Sequence, residues 1–194
     1  MGSDKIISSY KYLFKYFKNS SDNTPLNKKN ILDNKVLYDD ARGYKIAHIE
    51  SINPIKFKGI FKGSYGIISQ ATCFREHKVP DFDCTCGFHS FKNIEGAVRE
   101  VSKKWSSVLL KIENYGRIIE HTSGYRSQEQ EIVEIIFQKN CAKVFCSRES
   151  FKICKFLGLY LPLCKKHSEK SGESYSLLEL SNLTGIEFSF LKII

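Results

Sequence analysis

Cysteine and histidine are the residues of this 194-residue chain best suited to chemistry, and seven cysteines and five histidines are not spread evenly along it. The segment CFREHKVPDFDCTCGFH, residues 73–89, brings Cys73, His77, Cys84 and Cys86 into one short stretch. Three thiolates and an imidazole are the soft sulfur and borderline nitrogen donors that tetrahedral zinc prefers. Val79-Pro80-Asp81 turns the chain between the two pairs, and Gly87 lets the backbone bend beside Cys86. Cys84 and Cys86 are two apart, so in an extended segment both point to one face. His89 is an alternative to His77 as fourth ligand, or a partner behind the ligands. Four protein donors make a closed site, which stabilises folding and leaves no position for a reacting water. The Pro-Cys-x-x-Cys string that a zinc deaminase needs is absent.

A second donor set, Cys141, Cys146, Cys164 and His167, offers a possible second metal site. Cys164 and His167 are three apart and share a face in a helix. Against it, Cys141 and Cys146 flank the apolar AKVF, as buried free cysteines do. Cys154, within FKICKFLGLYL, is assigned to the core. Residues 116–127, GRIIEHTSGYRS, gather Glu120, His121, Tyr125 and Arg126 on the two sides of one turn. Such a group can hold a phosphate through Arg126, stack a base on Tyr125 and read an amino edge through Glu120. It can equally pin a hairpin. Lys56, Lys58 and Lys62, interleaved with Phe57 and Phe61, have the pattern of a nucleic-acid surface or of a strand with one solvated face.

The order YKIAHIE, QATC at 70–73, CTCGFHSF at 84–91 and SVLLKIENYGRIIEHTSGYRS at 106–127 resembles a group of small uncharacterised bacterial proteins, over about residues 43–160. The C-x-C-G and E-H-x-x-G-Y-R strings carry the resemblance. It implies that both motifs belong to one domain and transfers no activity. Where the group has a tyrosine after the phenylalanine of its C-x-C-G-F string, this chain has His89.

These residues need a scaffold. Residues 4–18 have the spacing of a basic amphipathic helix, with Ile6, Tyr10, Leu13, Phe14 and Phe17 on one face. The polar run up to residue 35 reads as a linker. From residue 36 the signals are those of short strands: 44–50, 55–63 and 65–71. A helix over 93–104 follows, then a strand from 108 ending at Asn114-Tyr115-Gly116, then RIIEH as another. Residues 128–139 fit a strand or a helix. Residues 148–157 read as a helix between a Ser147 cap and a Gly158 stop. Residues 166–175 read as a second linker, and 176–194 as a helical segment whose turn at Thr184-Gly185-Ile186 is similar to that of a helix-turn-helix, with a helix or strand packed on the β domain as the favoured reading of its last residues. The expected fold is α+β, mostly β, a small barrel-like or sandwich sheet over residues 36–165 with a few short helices, stabilised by zinc.

A net charge of +9, with 42% hydrophobic and 26% charged residues, describes a folded basic domain suited to nucleic acid or another polyanion. The first apolar run is broken by Lys11 and Lys15, and no stretch has the length of a membrane span, so a cytoplasmic protein is expected. The reading is a non-catalytic, zinc-stabilised nucleic-acid-binding domain. Alternatives are a protein-interaction module working through the N-terminal helix, and an enzyme acting on a phosphate-bearing substrate with Glu120 and His121 as acid and base. No nucleophile motif or phosphate loop supports the last.

Overall fold

The structure is a computed structural model that describes residues 35–37, 40–59, 63–101 and 106–191. The amphipathic helix and linker expected before residue 35 lie outside the described residues, as do Phe61 and Lys62. The compact unit considered below is Val36–Ile194.

Alternation of apolar and polar side chains builds its main sheet. In β2 (Ala41–Ile52), Ala47 and Ile49 face one way and Ile46 the other; in β7 (Val108–Glu120), Val108, Leu110 and Ile112 oppose Leu109. Both faces are therefore buried, which is why these strands read as nearly continuous apolar runs. With β8 (Gly124–Phe137) they form the centre of an otherwise antiparallel sheet whose order is β1-β7-β8-β6-β2-β3-β4. The remaining members are β1 (Lys35–Leu37), β3 (Ile55–Gly59), β4 (Ser64–Tyr65) and β6 (Phe88–Phe91), with β5 (Ile68–Gln70) and β12 (Glu187–Phe190) added on β8.

Because β2 also pairs with β7, and β6 joins β8 to β2, the strands β2, β7, β8 and β6 form a closed circuit. One side chain ties it. Asn114 on β7 is fully buried; its amide donates to the Ala41 carbonyl of β2 at 2.7 Å, and its oxygen accepts from Ser127 of β8 at 2.8 Å and from Ser90 of β6 at 3.5 Å. Two glycines permit the approach of β6: a Cβ on Gly43 would lie 2.7 Å from Ser90 Oγ, and one on Gly124 would lie 2.2 Å from the Ser90 carbonyl oxygen.

A second sheet, β10-β9-β11, is made by β9 (Lys152–Phe156), β10 (Leu159–Leu163) and β11 (Ser174–Tyr175). It packs Ile153 and Tyr160 into the same core as Phe57, Leu110, Ile135 and Phe137. Glu173 fastens it, accepting from Tyr160 at 2.6 Å and Tyr175 at 3.0 Å and pairing with Lys155 at 3.1 Å. Three helices complete the described residues: α1 (Ile94–Val101), α2 (Lys165–Ser168) and α3 (Leu177–Thr184). Ala97 and Val101 of α1 cover Ile46, Leu109 and Ile136 on the sheet's other face.

The mostly β architecture and short helices match the sequence reading, and four elements differ. Residues 114–116 do not end a strand: Gly116, at φ 71°, forms a bulge through which β7 continues. Residues 128–139 resolve as strand. Residues 148–157 contain β9 rather than a helix, because a hairpin places Lys152 opposite Leu163 and so returns Cys164 to the loop that carries Cys141 and Cys146. The stretch read as a linker, 166–175, holds most of α2 and all of β11. In the last segment, Ser176 and Glu179 form a capping box and Gly185 a left-handed stop, so the first helix and turn are as expected. The second helix is instead β12, parallel to β8, with Phe188 stacked on Phe137 at 6.3 Å.

Candidate metal centres

Two clusters of metal-ligand type occur among the described residues, Cys73/His77/Cys84/Cys86 and Cys141/Cys146/Cys164/His167. In each, the four donor atoms lie within 4.8 Å of one another, and either can hold a metal ion. All seven cysteines are free thiols.

The first cluster sits on the loop between β5 and β6. Ala71 N–H donates to the Gln128 carbonyl at 2.8 Å and fixes where the loop leaves the sheet. Gly87, at φ 101°, returns it; a Cβ there would press the Ser127 carbonyl at 3.0 Å and Pro80 at 3.1 Å. Between them the Sγ atoms of Cys73 and Cys84 are 3.8 Å apart, and Cys86 Sγ is 3.9 Å from His77 Nε2. His77 Nδ1 lies 3.1 Å from the Lys78 carbonyl and donates to it, which leaves the lone pair of Nε2 for any metal ion held here. His89 is not the fourth donor: its Nε2 donates to the Thr85 carbonyl at 2.9 Å. The backbone N–H of Cys86, then His77, lowers the Cys84 thiol to about 6, so a thiolate stands ready at neutral pH. Burial pushes Cys86 the other way, up to about 11.

The second cluster joins three elements of the chain. Cys141 and Cys146 flank a turn between β8 and β9, Cys164 follows β10 as the N-cap of α2, and His167 lies in α2. His167 Nδ1 is 3.3 Å from Cys141 Sγ and 3.4 Å from Cys164 Sγ, while Cys146 and Cys164 are 3.9 Å apart. Cys141 and Cys164 are buried against Leu161, Leu163 and Cys154, whereas every ligand of the first cluster is partly exposed. Cys154, as expected, belongs to the core.

The polar cluster at 120–126 takes a different part from the one its residue types suggested. Arg126 is 6% exposed, and its guanidinium donates to His121 Nε2 at 2.9 Å and to the carbonyls of Cys84 and Cys86. It props the first metal loop from beneath and presents no phosphate-binding fork to solvent. Burial, then the charge of Arg126, lowers His121 to about 4, so at neutral pH the imidazole is uncharged and accepts the guanidinium's hydrogen bond. Glu120 pairs with Lys92 at 2.8 Å, and the same ammonium lies over the Tyr125 ring. Glu120 is thus ion-paired to Lys92 and His121 hydrogen-bonded to Arg126. On β3, Lys56 and Lys58 are exposed, but Phe57 between them is core and offers no ring for stacking.

Comparisons with protein-family models, curated proteins and solved structures find no match to this chain. The centres must therefore be read from their own geometry. No described helix is long and apolar enough to cross a membrane.

The apolar AKVF between Cys141 and Cys146, expected from its composition to be buried, is instead largely exposed beside the second centre. Lys143, Val144 and Phe145 form the tip of the Cys141–Cys146 loop, and Leu157 tips the β9–β10 hairpin. Phe145 is fully exposed, and Val144 and Leu157 nearly so. Lys143 Nζ lies 3.5 Å from the centroid of the Phe156 ring, which brings the two tips together. The available signal was an apolar pair, Val144-Phe145, between two ligands, and a Leu-Gly at a turn.

Proposed function

We propose that this chain is a zinc-stabilised, non-catalytic nucleic-acid-binding domain. Zinc suits both donor sets. With Zn–S near 2.3 Å and Zn–N near 2.0–2.1 Å, a tetrahedral ion needs S···S edges of about 3.8 Å and S···N edges of about 3.5 Å. The sulfur pairs, at 3.8 Å in the first set and 3.9 Å in the second, lie close to those values before any ion is added, as do the second set's sulfur–nitrogen pairs at 3.3 Å and 3.4 Å, while the first set's pair, at 3.9 Å, would close by a few tenths of an ångström on binding. Three thiolates and one imidazole favour zinc over harder cations. Four protein donors make each a folding element rather than a reaction centre.

The observation that carries the nucleic-acid reading is where the charge lies. Residues 139–175, the second sheet and its metal loop, hold seven Lys and one Arg against Glu149, Glu169 and Glu173, a net +5. The other 157 residues hold 22 basic and 18 acidic side chains, a net +4. More than half the excess charge thus belongs to a fifth of the chain, folded round one metal centre with exposed aromatic rings beside it. A phosphate backbone is the partner such a surface attracts most strongly.

Fluorescence anisotropy with labelled DNA and RNA oligonucleotides tests this. Binding should weaken steeply between about 50 mM and about 200 mM salt. The exposed pair Lys166→Glu and Lys170→Glu should flatten the salt dependence by about one unit of slope for each lysine that contacts phosphate. Undetectable binding at the lower salt ends the reading.

A further inference from the structure

We infer that the nucleic acid taken by the second metal lobe is single-stranded, its bases stacking on Phe145 and packing on Leu157 at the double tip that the Lys143–Phe156 contact holds together, with Lys143 on the adjacent phosphate. The inference rests on the preceding reading and narrows it to a strand type and a contact site.

The tip is built against local preference. Phe145 and Leu157 are two of the three non-glycine residues with positive φ among the described residues, at 63° and 51°. A bulky side chain in that region is uncommon and strained. The β9–β10 hairpin pairs Phe156 with Leu159 across Leu157 and Gly158, both at positive φ, as a type I′ turn requires. Asn or Asp ordinarily takes the first of those places; here a leucine does, and its side chain is 80% exposed. Two strained positions therefore present apolar surface to water, on tips that the Lys143–Phe156 contact holds side by side.

The chemistry of the group selects the occupant. Rings and aliphatic carbon next to an ammonium provide stacking and phosphate contact, the pair of interactions used on unpaired strands. Val144, Phe145, Phe156 and Leu157 carry no amide or guanidinium to read base edges, and α2, of four residues, is too short to lie in a major groove. A duplex hides the base faces this surface would touch. An anionic bilayer would take Val144 and Phe145 into its surface only if Lys143 left its place 3.5 Å from the Phe156 centroid and swung out to the headgroups, and the vesicle arm of the test reads that outcome.

The test uses the full, metal-loaded chain with labelled oligo-dT and oligo-rU of equal length, a mixed-sequence duplex of that length, and phosphatidylserine vesicles. Two variants accompany it: Phe145→Ala, and Leu157→Asn, which supplies the residue a type I′ turn prefers. Single strands should bind at least about tenfold tighter than duplex, and Phe145→Ala should lose about tenfold in affinity for them. Leu157→Asn should weaken binding while its thermal midpoint stays at or above the parent's, which separates contact from folding. Whichever single strand binds more tightly assigns the sugar. Equal affinity for duplex, or affinity unchanged in both variants, overturns this inference and leaves the charged-lobe reading standing. Recruitment to vesicles without binding to single strands overturns it in favour of a membrane. Failure to bind any nucleic acid removes both readings.

Discussion

Arg126 shows how far a residue's role depends on what folds over it. In the string E-H-x-x-G-Y-R its guanidinium has the composition of a phosphate site, yet β8 places it beneath the Cys84–Cys86 segment, where it donates to both carbonyls. Groups behind a metal loop orient the ligands and commonly change metal affinity when removed. Arg126→Ala should lower affinity at the first centre by about tenfold or more and leave the second unchanged, measured by release to a chromogenic chelator. Loss from both centres at once would mean that Arg126 supports the fold rather than the loop. Lys45 makes a second case. Its ammonium donates to Gln130 Oε1 at 2.9 Å and lies 4.6 Å from the centroids of both Tyr65 and Phe88, and burial lowers it from 10.5 to about 7. Between pH 7 and 10.5 the unfolded chain then binds more protons at this residue than the folded one, so stability rises with pH across that window. Lys45→Met should flatten the rise, read as denaturant midpoints of parent and variant at pH 7 and 9. A variant with the parent's pH slope would place the ammonium in water.

At the scale of elements, alternation made the central strands legible. Val108, Leu110 and Ile112 announce the core face of β7, and Ala47 and Ile49 that of β2, because burial on one side imposes a period of two. The signals that misled were local ones. Asn114-Tyr115-Gly116 has the composition of a turn, but the asparagine satisfies three neighbouring strands and the glycine makes a bulge. Residues 148–157 carry a helix cap and stop, yet Ile153 and Tyr160 gain more by reaching the common core as a hairpin. The closed circuit depends on β6 lying against Gly43 and Gly124. Gly124→Ala should cost about 1–3 kcal/mol in chemical denaturation, since its Cβ meets backbone that cannot move aside. An unchanged midpoint would show that the circuit is open at β6.

For the whole molecule, the two centres are chemically alike and differently embedded. One is a surface loop on the main sheet with partly exposed ligands; the other joins a β8–β9 loop, the end of β10 and α2, with two buried cysteines. Metal bound where folding alone assembles the site contributes directly to folding. Elemental analysis should return two zinc ions per chain, and Cys84→Ser and Cys141→Ser should each lose one. Cys141→Ser should lower the thermal midpoint more than Cys84→Ser, because it unties three chain segments instead of one loop. The reverse order would mean that the first loop governs the fold. One zinc in the parent protein would reassign the second cluster to buried thiols.

The sequence by itself determined the donor types, the mostly β character and the first Cys/His cluster, because donors within a short stretch need no long-range geometry to meet. It also named the second donor set without deciding it, since Cys146 and Cys164 are separated by a segment that reads as helix and pairs as hairpin. Tertiary structure alone decided that assembly, the choice of His77 over His89, and the turning of Arg126 inward. It also placed the lysine-rich segment and the Phe145 and Leu157 tips on one lobe. Each of these depends on which backbone groups come within a few ångströms across the sheet, and strand pairing sets that where local composition cannot.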